Sequence, residues 1–360
     1  MKNVLKGLAG VLFLTFALFS CESDSSKPKV EVKTLKGAFV VNEGNFGKNN
    51  GTIIWQSLTG EQKDEDLFKT VNKGPLGDVV QSFTVVDTLG FIVVNNSQKV
   101  EIVHMKDFKS VGRIENLSYP RYVAKAGDGK VYISNGNGKA DGNDKLIIYD
   151  YAKMAKAGEI EVGKGPERFA ELNNLLYVVN SGAWSTDKTI SVINTTNDVV
   201  AQTITVNDNP IDIAVDANMG VWVYCKGIPD YSKYPDVTYK NAAIVRINGV
   251  TRKVEKVYPI ASIKTNGSNL LAMDKSGENV YFITDGLYKM SIGANELPIT
   301  KFNDKAFYGV RVNKETGNVW AFDNTASKAV VLSTTGEKVK EYNTTAFSND
   351  ACFIYKDFVK

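Results

Sequence analysis

A short apolar phrase recurs seven times along this chain, a second apolar run follows each copy, and an orphan run stands at the C-terminus. Together these predict an all-β fold, a seven-bladed β-propeller with its C-terminal strand closing the first blade. The phrase reads AFVVNEGN from Ala38, FIVVNNSQ from Phe91, VYISNGNG from Val131 and LYVVNSGA from Leu176. It weakens to VWVYCKGI from Val221, VYFITDGL from Val280 and VWAFDNTA from Val319. Each copy is a handful of β-formers stopped by a polar turn signal.

The second runs are TIIWQS, KVEIVHM, KLIIYDY, TISVINT, AAIVRIN, GLYKMSI and AVVLSTT. A third often follows, as in VVAQTITV (Val199 to Val206), and a fourth precedes the phrase, as in PIDIAVDANMG (Pro210 to Gly220). Four short strands at a spacing of about 40–50 residues is the propeller period, and residues 37–360 hold seven such units. A large two-sheet sandwich is the alternative fold. The first unit lacks a leading strand, and SNDACFIYKDF at the end supplies one. Ala351 to Tyr355 is therefore expected as the innermost strand of the first blade, which closes the ring and removes its open edges.

The N-terminus carries a different signal. Lys2 and Lys6 precede an apolar run, Leu8 to Phe19, too short to span a bilayer, and LFSC ends at Cys21. This resembles a secretory signal peptide (residues 1–20) with a bacterial lipobox, which implies cleavage before Cys21 and its lipidation; ordinary cleavage near Ser20 is the alternative. Residues 21–36 read as a flexible, partly acidic tether, and residues 37–360 as the propeller. Acidic residues after a lipidated cysteine resemble the export signal of surface lipoproteins, so the expected location is the outer membrane, facing outward and held by lipid alone.

Within a propeller, loops from second to third strands and from each fourth strand to the next blade share one face. Those loops are long here: Asn42 to Gly51, Asn135 to Lys145, Asn180 to Lys188 and Lys226 to Asn241. The opposite turns, such as DTLG from Asp87 and ETGN from Glu315, are tight. Excess loop length on a rigid scaffold carries binding residues. The candidate ligand-binding residues on this face are Asn45, Phe46, Trp184, Tyr231 and Tyr234, with a small loop core as the alternative role for the tyrosines. Segments that open the inner strands add Asp78, Gln81, Tyr119, Arg121, Tyr122, Arg168 and Tyr308. Arg121 and Arg168 suit carbonyl or phosphate oxygens; pairing with Glu167 or Asp212 to hold blades together is the alternative.

Composition excludes several functions. There are 43 basic and 40 acidic residues, two of the lysines lie in residues 1–20, and no basic run exists, so nucleic acid is not an expected partner. The single histidine, His104, stands at the end of the apolar run VEIVHM and reads as a surface or rim residue; Ser-His-Asp triads and multi-histidine zinc sites need more or better-placed histidine. Cys225 and Cys352 read as buried apolar residues rather than a disulfide framework. Asp141, Asn143 and Asp144 fall short of a calcium loop and read as a polar turn. Gly136, Gly138 and Gly142 make no dinucleotide fingerprint. No cofactor, metal or catalytic residue is assigned.

The unit LYVVNSGAWSTDKTISVINTTNDVVAQTITVNDNPIDIAVD is similar to the YVTN-type propeller repeat, a likeness that spans residues 164–216. FVVNEGNFGKNNGTI, followed by NKGPLGDVVQS from Asn72, resembles seven-bladed surface lipoproteins of Bacteroidetes-type bacteria, among them the BtuG type. That resemblance implies capture of a corrinoid, cobalamin, and its delivery to a TonB-dependent outer-membrane transporter. A broad amide-fringed macrocycle fits a wide face of aromatic plates and neutral donors, but so does a glycan. An enzyme of lactonase or quinone-dependent dehydrogenase type, with a central metal near Asp78, Asp212, Asn269 and Asp350, is the competing class, and a scaffold that binds a partner protein is a third.

Overall fold

The computed structural model describes residues 36–60, 63–139, 144–232, 234 and 237–356. The signal segment, Cys21 and nearly all of the tether lie outside the described residues, as do Asp141 and Asn143. The rest is a seven-bladed β-propeller.

Four inner strands open on proline or valine and run in the same direction along the axis: Val80–Val86, Pro120–Lys125, Pro166–Leu172 and Pro210–Val215. Leu271–Met273 and Gly309–Val312, which open on leucine and glycine, are the inner strands of the next two blades. The ring closes as the sequence predicts. Ser348–Ile354 pairs antiparallel with Gly37–Asn42, so the last strand of the chain is the innermost strand of the first blade. Proline at the strand's first residue removes only a donor that faces the loop.

The middle strands are buried on both faces, because each blade packs between two others. Gly220–Cys225 is buried along its whole length, and Leu175–Asn180 nearly so. This explains why the recurring phrase is continuously apolar rather than alternating. Outer strands such as Val199–Thr205 and Lys253–Pro259 are exposed along most of their length, with one buried residue each. The inter-blade cores are locally aromatic: Phe39 of the first blade stacks on Phe108 of the second, with ring centroids 5.6 Å apart, and Phe83 joins them at 5.4 Å.

Three features depart from four regular strands per unit. A short helix, Leu67–Asn72, follows the two-residue outer strand of the first blade and buries Leu67 and Phe68. Asp66 caps it by accepting from the Lys69 amide at 3.2 Å. The sixth blade has three strands. In place of its fourth, a Gly- and Pro-containing segment lays Phe302 edge-on against Tyr281 at 5.2 Å. Finally, the longest loop forms its own ribbon, in which Ile228–Asp230 pairs with Thr238–Lys240. Gly227 makes this possible: its φ is +80°, and a Cβ there would meet the Lys240 carbonyl at 2.3 Å.

Candidate functional site

The propeller axis is filled, not open. A register shift at the start of the inner strand recurs in five blades, between Val80 and Ser82, Pro120 and Val123, Pro166 and Phe169, Pro210 and Asp212, and at Val41/Asn42 opposite the closing strand. Such bulges re-aim side chains, and the residues in or next to them are Gln81, Arg121, Tyr122, Glu167, Arg168, Asp212, Asn349 and Asp350. Arg121 Nε lies 2.9 Å from Glu167, and its guanidinium also reaches Gln81. Arg168 lies 3.0 Å from Asp212 and 3.0 Å from Asp350 and donates to Asn269. Tyr122 lies beneath Arg168, 4.4 Å from ring centroid to guanidinium carbon, and donates to Asn269 at 3.0 Å. Arg311 donates to Asp350 at 3.1 Å. Every blade contributes a member to this plug.

Gln81, Tyr122, Asp212 and Asn269 are buried. The structure therefore places Gln81, Arg121, Tyr122 and Arg168 inside the channel, bonded to neighbouring blades, instead of on an open rim. The inter-blade pairing of Arg121 with Glu167 and of Arg168 with Asp212 is present. Asp212, Asn269 and Asp350 do converge on the axis, but around the Arg168 guanidinium. Asp78 does not join them. It accepts from the Gly47 amide at 2.8 Å and from Asn96 at 2.6 Å, and so ties down the loop that carries Asn45 and Phe46.

Charge in the plug is nearly balanced. Arg121, Arg168 and Arg311 directly face Glu167, Asp212 and Asp350. Burial opposes the Asp350 charge, yet Arg311 and Arg168 outweigh it and hold this carboxyl below its usual range. Glu43 is a fourth acid without a guanidinium in contact. It accepts from Asn349 at 2.8 Å and from Tyr308 at 3.1 Å. Burial pushes its carboxyl up despite those bonds and the charge of Arg121. Tyr308 thus belongs to the channel mouth, held by Glu43 and edge-on to Phe347 at 5.9 Å.

The plug separates two recesses. On the short-turn face a funnel of about 780 Å³ is lined by Arg168, Arg311, Asp350, Cys352 and the aromatics Phe83, Phe353 and Tyr355. On the long-loop face a smaller cavity of about 250 Å³ lies where blades four and five meet. Its walls bring together Tyr119, Trp184 and Tyr231 of the sequence-derived set, with Glu167 at the channel side. Trp184 is 71% exposed and Tyr231 64% exposed. Trp184 is nevertheless fixed: its amide donates to the Asn137 carbonyl at 3.1 Å, and its ring tilts against Tyr119 at 6.1 Å. Arg121 lies 5.2 Å from the Tyr119 ring, so a continuous stack runs from the exposed indole to the axial ion pairs. Tyr239 of the same loop packs inward, while Tyr234 stays outside the cavity wall and is 79% exposed.

Phe46 and Asn45 sit on the first blade and do not line this cavity. Phe46 is 78% exposed, on a loop closed by Asn50 accepting from the Asn45 amide at 2.8 Å. Asp144 accepts from the amides of Gly138 and Gly165, at 2.9 and 3.0 Å, as a loop organiser. Cys225 and Cys352 are unbridged; burial pushes the Cys352 thiol up to about 12.

Among the members of these sites that were not singled out from sequence are Arg311, Glu43, Lys226 and Asn209. Arg311 interrupts the apolar run GVRV, and Lys226 follows directly on the fully buried strand ending at Cys225. Both are charges where periodicity calls for burial. Glu43 and Asn209 carry no comparable signal among many polar loop residues.

The fold and axial plug define a closed seven-bladed propeller with a loop-face cavity. The chain is similar in fold to a quinoprotein alcohol dehydrogenase-like protein from Bacteroides thetaiotaomicron, at 12% identity and TM-score 0.65 over 89% of this chain and 78% of that one. It is also similar to a functionally unknown protein from Desulfotomaculum acetoxidans (14%, TM-score 0.61, 89% and 100%). A third neighbour is the dihydro-heme d1 dehydrogenase NirN in complex with DHE (13%, TM-score 0.59, 88% and 66%). Matched against protein families and against curated proteins, the sequence fits none.

Proposed function

We propose that the chain is a capture protein that binds a small ring-bearing ligand at the loop-face cavity without transforming it. In its specific form the ligand is a corrinoid, held at the cell surface by lipidated Cys21 and handed to a TonB-dependent outer-membrane transporter. The observation that carries the reading is Trp184. An indole 71% exposed forgoes burial, yet it is held in place by a neighbouring blade's loop and by Tyr119. Rigid exposed aromatics beside a recess supply contact area at low entropic cost. Tyr231, which directly follows the ribbon strand Ile228–Asp230, lines the same cavity as a second aromatic. The funnel on the other face is larger, but its aromatics are occupied: Phe83 packs on Phe39, and Phe353 stacks on Tyr355 at 6.3 Å.

An axial enzyme site is the second reading, since dehydrogenases stand among the fold neighbours. Against it, the carboxylates and amide nearest the axis already hold guanidinium groups. A thermal-shift panel on the full chain separates the readings. Stabilisation by cyanocobalamin and not by neutral oligosaccharides, calcium or a quinone supports corrinoid capture. Stabilisation by saccharides alone replaces the ligand, and stabilisation by calcium or quinone alone replaces the function.

A further inference from the structure

Lys226 is unlike the half-buried arginines of the axial plug. Arg121, Arg168 and Arg311 each face a carboxylate at about 3 Å. Lys226 has none among the described residues. Its ammonium donates to the Gly267 carbonyl at 3.2 Å and lies 5.6 Å from the Tyr239 ring centroid. A partly buried cation without a counter-charge is costly to the fold, and this half-buried one lies on the wall of the loop-face cavity. Burial pulls it down to about 8.

A second observation points to the same place. Asn209 also lines the cavity. Its amide nitrogen donates to the Gly227 carbonyl at 2.9 Å, while its side-chain oxygen is buried with no partner. The two residues are fixed to each other, since the Lys226 amide donates to the Asn209 carbonyl at 2.9 Å. The wall of this recess thus carries a cation lacking an anion, and behind it an enclosed acceptor lacking a donor. Unmet polar groups in a native structure call for an explanation, a bound group among them.

We propose that Lys226 is the anion-recognition residue of this cavity: the ligand brings a phosphate or carboxylate to Lys226, while its ring lies against Trp184 and Tyr231. This rests on the capture reading and narrows it to anionic ligands. Glu167 does not repel such a group strongly, because Arg121 neutralises it at 2.9 Å. The other ionisable groups on the wall are Tyr119, Tyr231 and Tyr239.

The test titrates the full chain with phenyl phosphate, benzoate and neutral benzyl alcohol, read by tryptophan fluorescence and calorimetry. At pH 7 at least one anion is expected to bind roughly tenfold or more tightly than the alcohol, and which one names the anionic group. Lys226→Met is expected to abolish that preference and Lys226→Arg to keep most of it, with both variants melting cooperatively. Benzoate keeps a constant charge above pH 6, so weakening between pH 7 and 9.5 that is absent in Lys226→Arg reports loss of the Lys226 proton rather than ionisation of the wall tyrosines. Equal binding of anion and alcohol, binding of neither, or an anion preference that survives in Lys226→Met overturns the proposal. Cyanocobalamin titrated in parallel tests the capture reading separately: if it fails to bind while the anions show the Lys226 pattern, the anion site stands and the corrinoid does not.

Discussion

Arg168, on the inner strand of the fourth blade, reaches across the axis to Asp350 on the closing C-terminal strand of the first blade, 3.0 Å away. One ion pair therefore couples the middle of the chain to its end, and Arg311 of the seventh blade shares the same carboxylate. Ring closure is held by this electrostatic plug as well as by strand pairing.

Asp350→Asn removes the one carboxylate that two guanidinium groups share. The side chains are only 17% and 10% exposed, and breaking a buried pair from one side costs about 3–5 kcal/mol. Urea denaturation is expected to show a loss of that order. Glu65→Gln, which breaks the exposed Lys63–Glu65 pair, is expected to leave the midpoint almost unmoved.

Truncation before Ser348 deletes the strand that pairs with Gly37–Asn42. It also removes Asp350 and Asn349 from the plug. The truncated chain is expected to lose cooperative unfolding altogether, and a normal melting transition would show that closure is dispensable.

Glu43 gives a pH signature with a definite sign. Its folded carboxyl is raised above 4.5 by burial, so the folded state holds the proton more tightly than the unfolded chain. This group's contribution is fully present below the unfolded value and declines as pH rises toward the folded one. Glu43→Gln removes that decline. Its melting temperature is expected to exceed the wild type's by a margin that grows upward from about pH 4.5 and then levels off; a margin constant with pH would place the charge elsewhere.

The ring was readable because its cause is repetitive. Seven apolar phrases, each buried on two faces, leave a continuous pattern that no sandwich repeats, and the orphan strand around Ala351 has one place to go. The plug was only half readable. Prolines at positions 120, 166 and 210 mark where inner strands begin, but whether Arg121 and Arg168 turn outward or inward depends on bulges, which are set by pairing across strands and leave no local trace. The helix Leu67–Asn72 was missed because a six-residue amphipathic segment shows less than two turns of period. Trp184 stood out as an indole in a Gly, Ser and Thr loop. Lys226 did not, because its meaning comes from the absence of a carboxylate near it in space.

The central claim is that the loop-face cavity captures a ligand on Trp184 and Tyr231. Calorimetric titration of the full chain with cyanocobalamin, set beside Trp184→Ala, tests it most directly. The account predicts one-to-one binding in the wild type and an affinity lower by at least roughly tenfold in the variant, the scale of a lost aromatic anchor. Binding of equal affinity in both proteins would contradict the site, and no binding to the wild type would contradict the ligand.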